Sequence, residues 1–540
     1  MTDLQTATPE APPAARLEAS HVEKLKDRYG YSSETREIIE SENLLPPALL
    51  AKLHALHPQH SGLMELDPFL FDGPESYSGL EGFRRVLDVL ESRGIKLPGI
   101  PQRELFVEVY RFKASKHILN TINWNDYEND PMYHLVMPQP GMMRPEIVAK
   151  YVAAETPDER TKIAIDYIKE TNPHDGKQLL NKPWMAEDEG GIEIVEGSQH
   201  KYPQIQLVFD KTTQTCFSFC TYCFRHAQIR GGEDMFVQDD ISQIHEYLRR
   251  HKEITDLLIT GGDAGYLPYE RFRQYVEPIL EDPTLMHVRT VRLGSRMLTF
   301  EPDIILTRKY DKMLALIQRM RESGVQFSWM THFSTPREVL NPTTIAALRR
   351  LQRHGAIVRS QSPIMNHVSL FTSEDGSVDI ERSAQNWVDL AHVLGTLGAH
   401  FHSMYCARHT GEHHYFAAPL ADIEKVFNLV YRSLASIYRP SRYITMTTSA
   451  GKLSILGEAE VGGRKAMALK FNESRNMEWM DKVFLAEYDE KETRVDRLKP
   501  LEGEKFFFED ELADIEKELE QMHEKHVADE AGGKAEAGTR

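Results

Sequence analysis

Cysteine is scarce in this chain: only four of its 540 residues are cysteines. Four cysteines leave no room for a disulfide framework, and such sparse use is typical of proteins from a reducing cytoplasm. Long apolar runs are lacking too. No stretch of about twenty consecutive apolar residues occurs, so the sequence predicts neither a membrane-spanning helix nor a membrane partner. Residues 1–20 lack the apolar core of a secretory signal and are expected to form a disordered lead.

Positive charge is in deficit as well. Lysine and arginine total 64 residues against 82 for aspartate and glutamate, which gives a net charge of −18. Proteins that bind nucleic acids usually present a basic surface to the phosphates. A nucleic acid partner is therefore disfavoured, and we expect a small-molecule substrate. Hydrophobic residues make up 41% of the chain, which is enough for a large buried core.

Residues 21–200 have a mostly helical pattern. In one segment Phe83, Val86, Leu87 and Leu90 recur at helical spacing, so one face of that helix is apolar. No catalytic motif is evident in this region. We interpret it as a helical N-terminal extension that packs on the main domain.

From residue 201 to about 465 the pattern alternates between strands and helices. The candidate strands cover residues 205–210, 256–260, 288–293, 326–331, 356–361 and 400–405. Consecutive strand-helix units imply a parallel sheet with right-handed crossovers. Six units are too few for a standard eight-fold barrel, so the predicted fold is α/β, an open six-unit partial β/α barrel. Residues 466–525 are expected to form a small mixed C-terminal extension and residues 526–540 a disordered tail.

Three of the four cysteines, Cys216, Cys220 and Cys223, lie within eight residues. A structural zinc site normally needs two separated pairs of ligands, and fully protein-ligated iron-sulfur clusters take four thiolates at other spacings. The fourth cysteine, Cys406, is far downstream and is expected to be a buried small hydrophobe. The triplet therefore indicates an iron-sulfur cluster with one iron left open for a ligand. A zinc knuckle and a chance grouping are the alternatives.

Polar motifs follow the later strands, where ligands of parallel sheets gather. The second strand runs into Gly261-Gly262-Asp263, in which the glycines permit a close backbone approach to a ligand and the aspartate can accept from an ammonium group. The next strands lead to Ser295, His332 and Gln361, which are candidate ligand contacts. Their alternative role is to cap strand ends and the following helices.

These motifs together resemble a known family. The cysteine loop, with Tyr222 before its last cysteine, resembles the signature of the radical S-adenosylmethionine (SAM) enzymes. With ITGGD, VRLGSR, THF and QSP in this order, residues from roughly 120 to 476 resemble the lysine 2,3-aminomutase family. The resemblance implies a radical SAM isomerase with a partial barrel. It also implies an external electron donor, such as flavodoxin or ferredoxin.

The resemblance also implies roles for individual residues. Cys216, Cys220 and Cys223 would hold a 4Fe-4S cluster whose open iron chelates SAM, which is cleaved to a 5′-deoxyadenosyl radical. The SAM contacts implied are Gly261, Gly262, Asp263, Ser295, His332 and Gln361.

A second cofactor, pyridoxal 5′-phosphate (PLP), is implied by the segment Thr448-Ser-Ala-Gly451-Lys452. It resembles the family's glycine-rich loop, in which the lysine binds PLP. Arg225 matches the arginine that binds the substrate α-carboxylate, a task that suits a planar guanidinium. Lys201 stands where an arginine usually contacts the PLP phosphate, and Ile205 replaces a second such arginine.

The expected substrate differs from the family's namesake. Two family aspartates that pair with the lysine ε-ammonium correspond to Ala407 and Thr445, and an unpaired buried ammonium would cost several kcal/mol. L-Lysine is therefore not expected to be the substrate. Arg408, His409 and the pair His413-His414 lie nearby. They could suit a polar or acidic side chain, form a metal site, or be a solvated face.

Three hypotheses follow. The first is a PLP-dependent aminomutase that moves an amino group between adjacent carbons of an amino acid other than L-lysine. The second is a PLP-independent radical SAM enzyme that catalyses another rearrangement, an epimerisation or an elimination. The third is an iron-sulfur binding or sensing protein without turnover. The sequence predicts no structural zinc, because it has no cysteines to spare, and leaves open whether the chain forms a homo-oligomer.

Overall fold

The computed structural model describes residues 17–170, 179–186, 191–226, 228, 236–408 and 411–537, with side chains described to residue 526. Within the expected lead, the described chain begins at residue 17 and its first helix at Ala19; the rest of the lead lies outside the described residues. No described helix is both long and apolar enough to cross a membrane.

The N-terminal region is mostly helical, with a few short strands. Its helices are α1 (Ala19–Arg28), α2 (Ser33–Ser41), α3 (Pro47–Leu56), α4 (Gly79–Ser92), α5 (Ile100–Tyr110), α6 (Lys116–Thr121), α7 (Pro131–Val136), α8 (Pro145–Ala153) and α9 (Pro157–Glu170). Its strands are β1 (Ser76–Ser78), β2 (Lys113–Ser115), β3 (Trp184–Ala186), β4 (Ile192–Ile194) and β5 (Ser198–Tyr202). Phe83, Val86 and Leu90 are buried on one face of α4, as their spacing predicts.

A large sheet follows, and its strands lie side by side in chain order from β5 to β15. The strands after β5 are β6 (Ile205–Phe209), β7 (Asp256–Thr260), β8 (Thr290–Gly294), β9 (Gln326–Thr331), β10 (Ile357–Ile364), β11 (His400–Cys406), β12 (Ile444–Thr447), β13 (Gly451–Val461), β14 (Arg464–Ser474) and β15 (Val483–Glu487). Neighbours from β6 to β12 are parallel, while β5 and the last three strands pair antiparallel. The predicted α/β class is confirmed.

The helices in this part of the chain lie between the parallel strands, except the last one, which follows β15. The helices are α10 (Ile241–Arg250), α11 (Tyr269–Glu281), α12 (Met297–Phe300), α13 (Asp311–Glu322), α14 (Pro342–Arg353), α15 (Ile380–Thr396), α16 (His413–Phe416), α17 (Leu420–Ser433) and α18 (Glu509–Ala537). In α17 the residues Leu420, Ile423, Val426 and Val430 are buried, since they form the apolar stripe that packs inward.

The C-terminal part departs from the expectation in two ways. β14 crosses the expected boundary at residue 465, because β13 and β14 form one hairpin that extends the main sheet. The turn of this hairpin is Gly462-Gly463, and both glycines have positive φ, as a tight two-residue turn requires. The sequence predicts disorder from residue 526, whereas α18 continues to Ala537. Four of the twelve residues from 526 to 537 are alanine and two are glutamate, which favour a helix.

The two ends of the sheet approach each other. β5, at one edge, lies against β14 near the other. Lys201 of β5 donates a hydrogen bond from its Nζ to the Thr448 carbonyl oxygen, in the turn between β12 and β13. The curved sheet therefore places the segment before the first parallel strand beside the segment after the last one, although 247 residues separate them.

Asp210 fixes the chain where β6 ends and the cysteine loop begins. This carboxylate is fully buried. Arg271 of α11 donates to Asp210 Oδ2 from Nε at 2.8 Å and from Nη2 at 2.5 Å, and the Tyr275 hydroxyl donates to the same oxygen at 2.9 Å. A buried ion pair of this kind is strongly destabilising when one partner is removed.

Replacing Arg271 with methionine should lower the free energy of unfolding by about 3 kcal/mol or more, because Asp210 stays buried without its cation. Urea denaturation followed by circular dichroism measures this change. Arg273→Met is the matched control: Arg273 lies on the same helix, forms ion pairs with Glu270 and Glu277, and is more exposed. The control should change stability little, and equal effects of the two variants would contradict the assigned role of Asp210.

Candidate active site

The predicted site residues lie at one edge of the parallel sheet. Gly261 to Asp263 follow β7, Ser295 follows β8 and His332 follows β9, while Gln361 lies within β10. Because parallel strands end on the same side of a sheet, these residues meet in space. All of them except Gly261 line a cavity of about 130 Å³ together with Cys216, Cys220 and Cys223.

The cysteine loop packs tightly on the glycines that follow β7. A Cβ atom at Gly261 would lie 2.6 Å from the Thr213 carbonyl oxygen. One at Gly262 would lie 2.6 Å from the Thr215 carbonyl oxygen and 3.1 Å from Cys216 Sγ. The Gly262 amide also donates to the Thr213 carbonyl at 2.8 Å. From the sequence we expected these glycines to allow a ligand to approach. In the structure their lack of a side chain first of all allows the cysteine loop to pack against them.

The three cysteines face the same cavity as free thiols. Burial raises the pKa of all three, to about 12 for Cys223, and Asp263 and the two neighbouring thiols raise that of Cys216 further. Bound iron would reverse this, because a coordinating thiol is deprotonated. No three histidine, cysteine or carboxylate side chains of the described chain converge as they would around a single ion. Three thiols around one cavity suit a larger iron-sulfur cluster.

Asp263 is buried beside the cysteines. Its Oδ1 accepts from the Gly265 amide at 2.8 Å and its Oδ2 from the Arg296 amide at 2.9 Å. Burial raises the pKa of Asp263 to about 6. Both oxygens therefore hold the strand-end loops together, and each keeps a lone pair for a ligand in the cavity.

Arg296 is a site residue that the motif analysis missed. Its Nη1 lies 3.4 Å from Cys220 Sγ and 2.5 Å from the Tyr222 hydroxyl, and its Nη2 donates to Glu338 Oε2 at 2.6 Å. Glu338 is buried. Burial alone would lower the pKa of Arg296, but Tyr222, Cys220 and Glu338 keep it well above its ordinary value. A permanent cation is thus fixed beside one cysteine. The only sequence signal was its place at the end of VRLGSR.

His332 and Gln361 form a wall of this cavity. The Gln361 amide Nε2 lies 3.2 Å from His332 Nε2, and the Tyr405 hydroxyl donates to Gln361 Oε1 at 3.4 Å. Burial lowers the pKa of His332 to about 3, so the imidazole is neutral at physiological pH.

A second cavity, of about 280 Å³, adjoins the first. Its lining includes Lys201, Arg225, Arg408 and Lys452. The two cavities share several side chains, namely Phe224, Arg225, Leu258, His332 and Gln361. A ligand in one cavity therefore lies next to a ligand in the other.

Lys452 is the second residue of β13, although the sequence suggests a loop. Gly451 is required here because a Cβ would lie 2.3 Å from the Glu473 carbonyl oxygen on β14. Lys452 Nζ forms an ion pair with Glu473 Oε2 at 2.5 Å. Burial alone would lower the pKa of Lys452, but Tyr405, Glu473 and Tyr202 raise it above its ordinary value.

Arg225 and Lys201 bring positive charge to the same cavity. Arg225 donates from Nη1 to the Gly261 carbonyl at 2.8 Å and to the Thr260 hydroxyl. Burial lowers its pKa to about 10. Burial also lowers the pKa of Lys201 well below its ordinary value, and the nearby cations Arg475 and Arg408 add to the effect. Neither side chain forms an ion pair with a carboxylate among the residues with described side chains, although Glu516 partly offsets the lowered pKa of Lys201.

Apart from Arg408, the described residues expected near the substrate side chain are uncharged or contact the backbone. Ala407 and Thr445 are both buried and carry no charge. His413 Nδ1 donates to the Arg408 carbonyl oxygen at 3.0 Å, and His414 Nε2 donates to that of Gly141 at 3.2 Å, so both side chains contact the backbone. His409 lies outside the described residues. Cys406 is buried as expected, and it also lines the second cavity.

Comparison with known proteins agrees with this geometry. No family model matches the chain. It is 26% identical to a putative L-lysine 2,3-aminomutase of Aquifex aeolicus over 368 residues, which is 68% of this chain and 83% of that protein. It is 26% identical to the L-lysine 2,3-aminomutase of Fusobacterium nucleatum over 208 residues, 38% of this chain and 44% of the relative.

The glutamate 2,3-aminomutase of Clostridioides difficile is also similar, at 26% identity over 169 residues, 31% of this chain and 37% of the relative. Several of these matches thus span less than half of the relative. Over about two thirds of its length this chain is thus similar to the lysine 2,3-aminomutases, which supports its resemblance to that family of radical SAM enzymes. The expectation of an enzyme, a radical SAM isomerase, is confirmed, so a sensor without turnover is disfavoured.

Among solved structures, a radical SAM methyltransferase from Sphaerobacter thermophilus matches with a TM-score of 0.30 and 13% identity, over 68% of this chain and 93% of that one. That likeness is too weak to define the fold. Enzymes of the aminomutase family use a 4Fe-4S cluster, SAM and PLP. The donor sets of the two cavities, three thiols in one and a buried lysine among cations in the other, fit these groups.

Replacing Arg296 with glutamine should make the reduction potential of the reconstituted cluster more negative by tens of millivolts, since a positive charge beside Cys220 favours the electron-rich state. A redox titration followed by electron paramagnetic resonance measures the potential. Arg289→Gln is the control, because Arg289 is exposed just before β8. An unchanged potential in the Arg296 variant would contradict the electrostatic role.

Proposed function

We propose that this chain is a PLP-dependent radical SAM aminomutase that moves an amino group between adjacent carbons of an amino acid other than L-lysine. One observation carries the proposal: Lys452 and Arg225 line a cavity that shares Arg225, His332 and Gln361 with the cavity of the three cysteines. In such an arrangement a substrate held near Lys452 lies beside the place where a radical would be generated. Close placement of reactants removes most of the entropic barrier to their reaction.

The proposal assigns the first cavity to the cluster and SAM. Cys216, Cys220 and Cys223 would hold the 4Fe-4S cluster. The residues that would contact SAM are Gly262, Asp263, Ser295, His332 and Gln361, which line this cavity, and Gly261, which precedes them in the loop after β7. Neutral His332 and the amide of Gln361 offer hydrogen bonds without adding charge. A small redox protein such as flavodoxin or ferredoxin would supply the electron.

The second cavity is assigned to PLP and the amino acid. Lys452 would hold PLP covalently, Lys201 would contact its phosphate, and Arg225 would bind the substrate α-carboxylate. When bound, the cluster with SAM supplies a 5′-deoxyadenosyl radical, and PLP supplies a carbonyl that binds the substrate amine and delocalises an unpaired electron. Lys452 must lose a proton before it can act as a nucleophile, and Glu473 at 2.5 Å is placed to accept it.

The same proposal covers the architecture. The parallel strands β6 to β11 with their helices would form the six-unit partial barrel, and the N-terminal helices would cover its outside. Phe224 and Leu258, which line both cavities, would keep water from the radical.

The substrate assignment rests on charge. Glu473 is the one carboxylate in the described lining of the second cavity, and it is paired with Lys452. A lysine ε-ammonium would find no free carboxylate there. The relatives include enzymes named for lysine and for glutamate, so the substrate varies among similar proteins.

A second candidate is a PLP-independent radical SAM enzyme that catalyses another rearrangement, an epimerisation or an elimination. Two observations favour it: Lys452 is held as a protonated partner of Glu473, and Ile205 lines the cavity where the family has an arginine. Under this alternative Lys452 and Glu473 are a structural ion pair.

Borohydride reduction of the PLP-reconstituted protein separates the two candidates. The wild-type protein should show an absorbance band of bound PLP, and reduction should fix PLP to the peptide that contains Lys452, as detected by mass spectrometry. Lys452→Ala should abolish both signals, because the amine is lost. Lys465→Ala, on the exposed end of the same hairpin, should leave both signals intact. If the wild-type protein shows no absorbance band of bound PLP, the PLP-dependent mechanism is wrong.

A further inference from the structure

Arg408 lies in the wall of the Lys452 cavity and forms no ion pair with any side chain that the structure describes. It follows the end of β11 and lines the cavity. None of the described side chains forms a hydrogen bond or an ion pair with its guanidinium. Burial lowers the pKa of Arg408, against the weaker pull of Tyr202 and Asp496, and Asp496 is itself paired with Arg494. A buried guanidinium without a counter-ion is costly, so a ligand anion would relieve it.

The positive charges in the lining of the second cavity can be compared with the carboxylates that pair with them. The cations in its lining are Lys201, Arg225, Arg292, Arg408 and Lys452. Lys452 is paired with Glu473, and Arg292 is paired with Asp256 at 2.8 Å. The other three cations of the described lining, Lys201, Arg225 and Arg408, form no ion pair with a described carboxylate and are available for ligand anions.

Two of these three have an anion under the proposed function, on which this inference rests. Lys201 would face the PLP phosphate and Arg225 the substrate α-carboxylate. PLP and an amino acid with a neutral side chain supply no further anion for Arg408. A carboxylate on the substrate side chain would supply it.

We propose that Arg408 and the adjoining wall of this cavity form a second carboxylate subsite, and that the substrate is a short dicarboxylic amino acid. Arg225 and Arg408 line the same cavity of about 280 Å³, so a ligand that reaches both guanidinium groups must be small. Anions bound to both must then be linked by a short chain, as in aspartate or glutamate. A guanidinium can bind both oxygens of a carboxylate, which distinguishes it from the isosteric amide.

The same charges act against other substrates. A cationic side chain would meet Arg408 and find neutral Ala407 and Thr445 where a carboxylate would be needed. Arg408 also lowers the pKa of Lys201, so it lies within electrostatic reach of the proposed phosphate site. The alternative that Arg408 binds the PLP phosphate must therefore be an outcome of the test.

Calorimetric titration of the cluster- and PLP-loaded protein tests the subsite. The ligands are aspartate, glutamate, their amides asparagine and glutamine, and lysine. The wild-type protein should bind one acid about 10- to 100-fold more tightly than the matching amide, as expected for a charge-assisted pair. Arg408→Gln should remove that preference and leave PLP absorbance unchanged. Arg408→Lys should retain part of it.

Arg442→Gln is the control, because Arg442 is exposed in the segment between α17 and β12. It should leave the preference unchanged. Equal binding of acid and amide by the wild-type protein would overturn the subsite while leaving the aminomutase proposal intact. Loss of PLP from Arg408→Gln would assign Arg408 to the phosphate and overturn the subsite as well. A wild-type protein that takes up no PLP would overturn the proposed function itself, and with it this inference.

Discussion

A short wall of polar side chains separates two buried cavities, and the proposed chemistry depends on it. Arg225, His332 and Gln361 face the three cysteines on one side and Lys452 on the other. A radical formed in the first cavity must reach a substrate in the second without meeting water. Under the proposed function the shared residues would allow this, because the two cavities adjoin and the apolar side chains of Phe224 and Leu258 also line both.

Buried ion pairs stabilise the chain segments around the first cavity. Asp210 with Arg271, and Glu338 with Arg296, are carboxylates paired with cations just behind the cysteine loop. Each pair joins segments far apart in the chain, and removing one partner would leave a buried charge. In the second cavity, by contrast, several charged side chains form no ion pair with a described residue. In its described lining the cations outnumber the carboxylates, and under the proposed function anionic ligands would balance them.

Much of this arrangement could be predicted from the sequence. The alternating pattern gave the parallel strands, and the motifs after them were placed at one edge, because parallel strands end on the same side of a sheet. The residues grouped from Cys216 to Gln361 do line one cavity. Local patterns were sufficient where a residue's role follows from its place at a strand end.

Other features depend on contacts that no local pattern reveals. Glu338 pairs with Arg296 across 42 residues, and Glu473 meets Lys452 only through the register of the β13–β14 hairpin. The sequence motif places Gly451 in a glycine-rich loop, whereas in the structure the close approach of β14 requires a glycine at this position. Lys201 reaches Thr448 because the whole sheet curves. Such contacts follow from tertiary packing, which sequence spacing does not encode.

Hydrogen transfer between the cavities is the most direct test of this account. The reconstituted protein, with SAM and a reductant under anaerobic conditions, would be given a panel of fully deuterated amino acids, and 5′-deoxyadenosine would be analysed by mass spectrometry. The account predicts deuterium in 5′-deoxyadenosine with at least one amino acid, and a β-amino product from the same one. If 5′-deoxyadenosine forms but never carries deuterium, the two cavities do not act on one substrate and the account is wrong.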